Sequence, residues 1–173
     1  MTAFSTTFRE RRARAAKLLE SYAVKTTENA NGRYRVIHEG AAKTVYTIGY
    51  ERREGEDLIS DLRDAGVTIL IDVRDRPFSR KPDFREKALR SLCEEAGIDY
   101  QSWRDLGSTE GQREKLKDTG DFAKFEKSFR AYATKELTEP IARLASLISK
   151  TRSSVALMCY ERCHGECHRS ILA

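Results

Sequence analysis

Val67-Thr68-Ile69-Leu70-Ile71 runs directly into Asp72-Val73-Arg74-Asp75-Arg76, and this passage from an almost continuously apolar run to alternating charge decides the fold. An apolar, mostly β-branched run of this length suits a strand covered on both faces, and such strands belong to parallel sheets flanked by helices. The chain on either side repeats the pattern. Upstream, Val45-Tyr46-Thr47-Ile48 is a strand closed by Gly49. A helix follows at about residues 55–65, with Leu58, Ile59, Leu62 and Ala65 on one face and Gly66 as its stop. Downstream, Asp83-x-x-Glu86 after Pro82 opens a helix that buries Leu89, Leu92, Cys93 and Ala96 and ends at Gly97. Ile98 to Trp103 is a third strand.

Residues 107–120 carry no periodicity and are expected to form a loop over the site. Two helices follow. One spans about 121–136 with Phe122, Phe125, Phe129 and Tyr132 at core spacing. The other begins after Thr138, with Pro140 in its first turn and Ile141, Leu144, Ala145 and Ile148 inward. Val155 to Met158 supplies the last strand, and Cys167-His168-Arg169 starts the final helix. The expected class is α/β, with a Rossmann-like, mostly parallel sheet and helices on both faces. The first part, residues 1–44, reads as a basic helical extension over 5–22 (Arg9, Arg11, Arg12, Arg14, Lys17) and a polar linker holding one short strand at Tyr34–Ile37. Residues 45–173 form the α/β domain.

Parallel strands place their carboxyl ends on one edge, where ligands bind. The unusual polar residues all follow strand ends. They are Tyr50-Glu51, Asp72 to Arg76, Arg104-Asp105 and Cys159 to Arg169, and they are expected to converge on one crevice. Asp72, Arg74 and Arg76 alternate, so an extended segment shows all three on one side. Two guanidinium groups suit a phosphate or carboxylate; the alternative is a ladder of ion pairs without a ligand. Arg80 and Lys81 add charge at the same mouth.

Three of the four cysteines and two of the three histidines fall between Cys159 and His168. In a chain without a secretory signal core, such crowding points to free thiols or a metal site rather than a disulfide framework. Cys159, Cys167, His168 and Glu161 are the candidate catalytic groups: a thiol nucleophile, and side chains that move protons. Structural thiols are the alternative. Cys159, Cys163, His164, Cys167 and His168 have donor types suited to zinc or iron. Their spacing is unusual for zinc, and an adjacent Cys-His pair is not expected to aim both side chains at one ion. Cys93 belongs to a helix core.

Thr47-Ile48-Gly49-Tyr50, Ile71-Asp72-Val73-Arg74 with Pro77 and Ser79-Arg80, Gly97-Ile98-x-Tyr100, Leu106-Gly107 and Cys159-x-Glu161…Cys167-His168-Arg169-Ser170 occur in this order. Together they resemble the family catalogued as domain of unknown function 488, from about Tyr46 to Ala173. The resemblance implies an α/β fold with a polar crevice built from these motifs, and carries no reaction with it. Cys159, Glu161, Cys167, His168 and Arg169 fall on the family's motif positions, whereas Cys163 and His164 occupy a turn that usually holds other residues.

With a net charge of +5 the chain favours anionic partners. No run approaches the roughly 18 apolar residues of a membrane span, and the N-terminus lacks the apolar core of a secretory signal, so the expected location is cytoplasmic. The functional expectation is an enzyme acting on a phosphate-bearing nucleotide or nucleic acid. Arg74, Arg76, Arg169, Tyr50 and Asp72 would form its anion site. The alternatives are a nucleic-acid or nucleotide-binding module without turnover, and a metal or redox protein built on the cysteine cluster.

Overall fold

The computed structural model of the chain describes residues 24–28, 34–38 and 44–173, with side chains from residue 45 onward. The basic helix expected over residues 5–22 lies outside the described residues. In chain order the elements are β1 (Val24–Glu28), β2 (Tyr34–His38), β3 (Thr44–Gly49), α1 (Gly55–Asp64), β4 (Ile69–Asp72), α2 (Glu86–Glu95), β5 (Asp99–Ser102), α3 (Glu110–Thr119), α4 (Phe122–Glu136), α5 (Thr138–Lys150), β6 (Val155–Cys159) and α6 (Arg169–Leu172).

The sheet order is β1-β2-β3-β6-β4-β5. β3, β6, β4 and β5 are mutually parallel, and β1 and β2 extend the sheet antiparallel from β3. The stretch expected to be a linker with one short strand therefore supplies two. The last strand in sequence, β6, lies in the middle. Its register sets Gly49 beside Cys159 and Asp72 beside Met158, so the ends of β3, β6 and β4 lie level.

Alternation along the central strands sorts two cores. Ile69, Ile71, Val73, Val155, Leu157 and Cys159 face α4 and α5, packing with Phe125, Phe129, Ile141 and Leu144. Leu70, Ala156 and Met158 face α1 and α2, packing with Leu58, Leu62, Leu89 and Cys93. This is why the run Val67 to Ile71 reads as almost continuously apolar: both faces of Ile69 to Asp72 are covered, and the one polar member, Thr68, stands exposed just ahead of the strand. The aromatic row of α4 joins the core as its spacing predicts, and burial pushes the Cys93 thiol up to about 12.

Two local expectations are corrected. Residues 107–120 are not a loop, because α3 occupies most of them. Thr109 and Gln112 form a reciprocal capping box at its start, and Gly120, at φ 63°, ends it. None of its residues is fully buried, which is why no hydrophobic period marks it. Asp83 does not cap its own helix either. It lies in the 3-10 turn Pro82–Phe84, and its Oδ2 accepts from the Gly55 N–H at the start of α1, 3.2 Å away.

At the end of β3 the backbone runs against the segment that follows β6. A Cβ on Gly49 would stand 1.8 Å from the Glu161 carbonyl oxygen. Gly49→Ala must displace that segment, a form of overpacking that costs about 3 kcal/mol, the upper end of its usual range. Urea unfolding checks this; an unchanged midpoint would show that the close approach is not required.

Candidate functional site

At the carboxyl edge, Asp72 and Arg74 are buried side by side. Arg74 Nε donates to Asp72 Oδ1 at 2.8 Å and Nη2 to Oδ2 at 2.6 Å. Tyr100 Oη also donates to Asp72 Oδ2, at 2.6 Å. Arg74 Nη1 donates to Tyr50 Oη at 3.0 Å and to the Phe84 carbonyl at 2.9 Å. Burial alone would pull the Arg74 guanidinium down; the hydrogen bonds and charge of Asp72 more than reverse it. Burial and the Asp72 carboxylate both push the Tyr100 phenol up. Of the five Arg74 N–H groups, these contacts leave one on Nη2. Arg76, two residues on, stands in the open and pairs with Glu110 of α3 at 2.9 Å. The alternation seen in sequence thus divides into a buried brace and an exposed mouth.

Beside the brace, Cys159, Cys167 and His168 meet. One donor atom from each lies within 4.8 Å of the others, and all three residues are buried. His168 Nδ1 is 3.9 Å from Cys159 Sγ and 3.7 Å from Cys167 Sγ. The adjacent pair Cys167-His168 does aim at one point, contrary to expectation. Cys167 is extended (φ −133°, ψ 145°) and His168 helical (φ −57°, ψ −18°), so the chain turns between them. His168 Nε2 lies 3.1 Å from the Val73 carbonyl, and its ring packs on Phe129 with centroids 5.3 Å apart. Arg169, fully buried, donates from Nε to Cys167 Sγ at 3.2 Å and from Nη2 to the Glu161 carbonyl.

These contacts polarise the cluster. Burial alone would push the Cys167 thiol up; the Cys159 hydrogen bond and the Arg169 and His168 charges hold it well below the usual thiol range. The hydrogen bond to Cys167, together with burial, drives Cys159 up. Burial would lower His168, and the neighbouring Cys167 sulfur raises it. Burial, reinforced by Cys167, pushes the Glu161 carboxyl up to about 7. Both shifts run towards charge: the Cys167 sulfur is eased towards losing its proton and the His168 ring towards keeping one. α6 is only four residues long, so these side chains rather than a helix dipole set the balance.

Cys163 and His164 stand apart. His164 is buried, with Nδ1 3.0 Å from Thr47 Oγ1, and neither residue joins the close group of donors. The donors suited to zinc or iron that come together are thus Cys159, Cys167 and His168.

Above the cluster opens a crevice of about 810 Å³. Tyr50 and Arg52 line it from the end of β3, Arg74 to Arg76 and Phe78 to Lys81 from the end of β4, and Cys159 to Glu161 with Glu166 to His168 from the end of β6. Arg104 and Asp105 do not, since β5 is at the sheet edge; Asp105 pairs with Arg143 of α5 instead. α3 supplies the remaining wall with Glu110, Arg113, Glu114, Leu116 and Lys117. Among the described residues, Arg52, Arg80 and Lys117 have no ion-pair partner. Two rings rim the opening. Phe78 is 68 % exposed and Tyr160 50 %, the exposed large hydrophobics of the described chain. Both went unremarked in the sequence. An aromatic residue isolated in the polar turn Arg76-Pro77-Phe78-Ser79 was the available signal.

Fold and site define an α/β protein with a buried Cys/His cluster beneath a crevice at the carboxyl edge of a parallel sheet. The chain belongs to the family described as domain of unknown function DUF488, whose model matches residues 54–173. The resemblance read from the motifs is borne out, and the Thr47 to Tyr50 motif lies just ahead of the matched span. No curated protein and no solved structure matches the chain. Among the described residues, no helix is long and apolar enough to cross a membrane.

Two predictions follow from this geometry. Asp72→Asn keeps the shape but leaves Arg74 as an uncompensated buried charge, a loss of about 3–5 kcal/mol. Arg76→Ala, which removes an exposed pair, should cost less than about 1 kcal/mol; urea unfolding of both compares them. His164 gives the pH prediction. Burial, with the Arg169 charge, lowers it from 6.5 to about 4. Between those values the unfolded chain takes a proton that the folded chain refuses. Its contribution is therefore complete above pH 6.5 and is lost as pH falls towards 4, by about 3 kcal/mol. Thermal unfolding of His164→Gln should lose less stability than wild type across that window.

Proposed function

We propose that the chain is an enzyme acting on a phosphate-bearing nucleotide or nucleic acid held in this crevice. One observation carries the reading: the two exposed rings, Phe78 and Tyr160, stand on the rim of a crevice walled by Arg52, Arg76, Arg80, Lys81 and Lys117. Rings that would otherwise be an unfavourable exposure suit the faces of bases, and the cations suit phosphates. Arg74 adds its remaining N–H at the wall, and Asp72 and Tyr50 hold it there. Arg169 works from below, fixing Cys167 and the Glu161 backbone.

Position supports Glu161 and His168 as the proton-moving groups, and Cys159 and Cys167 as the thiols of the reacting centre. Glu161 lines the crevice, and its Oε2 is buried without a hydrogen-bond partner among the described residues. Such an oxygen is available to a bound ligand or to a water that the ligand orients. A binding module without turnover shares the rim and the cations but has no use for this carboxyl group.

The test uses a dye-labelled, mixed-sequence single-stranded oligonucleotide and a mixture of nucleoside triphosphates. Binding is followed by fluorescence anisotropy and competition, and products by mass spectrometry. Saturable binding that weakens with salt is expected, as is a loss of about tenfold or more in Phe78→Ala/Tyr160→Ala, since each stacked base contributes about 1–3 kcal/mol. Both rings are largely exposed, and because Tyr160 also meets Tyr50 edge-on, circular dichroism of the variant, with single Phe78→Ala beside it, checks that the fold is kept. Equal binding by that variant and wild type overturns the crevice as the site. Glu161→Gln should abolish product formation and keep affinity within about twofold. A variant that turns over like wild type removes Glu161 from the reaction, and binding with no product from either protein leaves the binding module.

A further inference from the structure

We infer that Cys159, Cys167 and His168 form a thiolate–thiolate–imidazole site for one divalent ion of the zinc class, open towards the crevice on its fourth side. The inference goes beyond the proposed function and stands on the cluster alone, with no nucleotide required; with an ion bound, Cys159, Cys167 and His168 hold it and Glu161 is left as the proton-moving group.

The first support is spacing. A tetrahedral zinc ion bonds sulfur at about 2.3 Å and imidazole nitrogen at about 2.0–2.1 Å, which places neighbouring S and N ligands about 3.5 Å apart. The two S···N separations are 3.7 and 3.9 Å, and all three donor atoms lie within 4.8 Å of one another. The two S···N pairs need to close by only a few tenths of an ångström to hold an ion, which ordinary side-chain rotation supplies.

The second support is the histidine tautomer. The Val73 carbonyl can only accept, so the 3.1 Å contact puts a proton on His168 Nε2. In the neutral ring Nδ1 then carries the lone pair, and Nδ1 is the atom aimed at both sulfurs. A metal-bound histidine is fixed in this way when its other nitrogen donates to a carbonyl. The same kind of outer contact serves Cys167, whose sulfur accepts from Arg169 Nε at 3.2 Å, and Phe129 packs against the imidazole.

Donor chemistry and access complete the case. Two thiolates and one imidazole select a borderline-soft ion over magnesium or calcium. All three residues line the crevice while being buried themselves. Three protein ligands beside an open position mark catalytic zinc sites, whereas structural sites close with a fourth. Glu161, on the same wall, is placed to contact a water on such an ion. His164, the other histidine of this segment, is directed to Thr47 instead.

The full chain, carrying no histidine tag, is purified under reducing conditions without added metal and assayed by mass spectrometry of the elements. The apoprotein is then titrated with Co²⁺, whose bonds to thiolate give a charge-transfer absorption. About one zinc or iron per chain, or a stoichiometric cobalt complex with that absorption, is the expected result. Cys159→Ser and Cys167→Ser should each reduce the absorption by about half, and Cys163→Ser should leave it intact. If a serine variant misfolds by circular dichroism, the wild-type titration still decides. Wild-type protein with neither copurified metal nor a thiolate–cobalt band overturns the inference, as does a band that persists unchanged in folded Cys159→Ser and Cys167→Ser. Metal bound by a protein that ignores oligonucleotide and nucleotides would leave this site standing and remove the function proposed above.

Discussion

The rest of the site depends on one buried ion pair. Asp72 ends β4 with its carboxylate turned into the core, and it accepts from Arg74 and from Tyr100 of β5. Arg74 in turn reaches Tyr50, just past β3, and the carbonyl of Phe84, in the turn before α2. The ion pair as a whole thus ties three strand ends and a turn: the guanidinium joins β4 to Tyr50 and Phe84, and the carboxylate adds β5. Tyr50 stacks on Phe84 at 4.3 Å and meets Tyr160 edge-on at 5.3 Å, which carries the brace across to the segment after β6. Buried charge is costly unless paired and fully hydrogen-bonded, and here the partners are the elements whose positions define the crevice. The pair is better understood as fixing geometry than as adding stability.

Strand order does the rest. Because β6 lies between β3 and β4, the Cys159 to Arg169 segment emerges at the centre of the carboxyl edge. It meets Val73 through His168 and the Gly49 backbone through Glu161. The two faces of the sheet then divide the labour: Asp72 and Arg74 lie on the α1–α2 side, while Cys159 and Cys167 belong to the core under α4. The crevice opens between these groups. Its wall of partly unpaired cations and its floor of polarised sulfur are products of separate faces meeting at one edge.

Much of this was legible in the chain, for a physical reason. Hydrophobic period reports burial, so elements with a covered face announced themselves: β4 by its apolar run, α1 and α2 by their stripes, α4 by its aromatic row. α3 has no buried face and stayed hidden, although the capping residues Thr109 and Gln112 and the stop at Gly120 were in place. Of the two antiparallel strands, β2 was read at Tyr34–Ile37, and β1 was missed because Val24-Lys25-Thr26-Thr27-Glu28 carries no apolar run. At the site, Asp72, Arg74, Cys159, Glu161, Cys167, His168 and Arg169 could be named because ionisable and soft side chains past strand ends are informative wherever the strands lie. Their distances to one another were not readable at all.

The sequence by itself determined that parallel strands alternate with helices, that polar residues gather at the carboxyl ends, and that the family is the one the motifs resemble. These are local facts, written in runs and spacings of a few residues. Tertiary structure alone decided that Arg74 points inward while Arg76 faces solvent, that Cys163 and His164 stand apart from Cys159, Cys167 and His168, and that α3 walls the crevice in place of Arg104 and Asp105. Each of those outcomes turns on strand order and on backbone dihedrals at single residues such as Cys167 and His168. Interactions between residues as far apart as Val73 and His168 set these, and no local pattern encodes them.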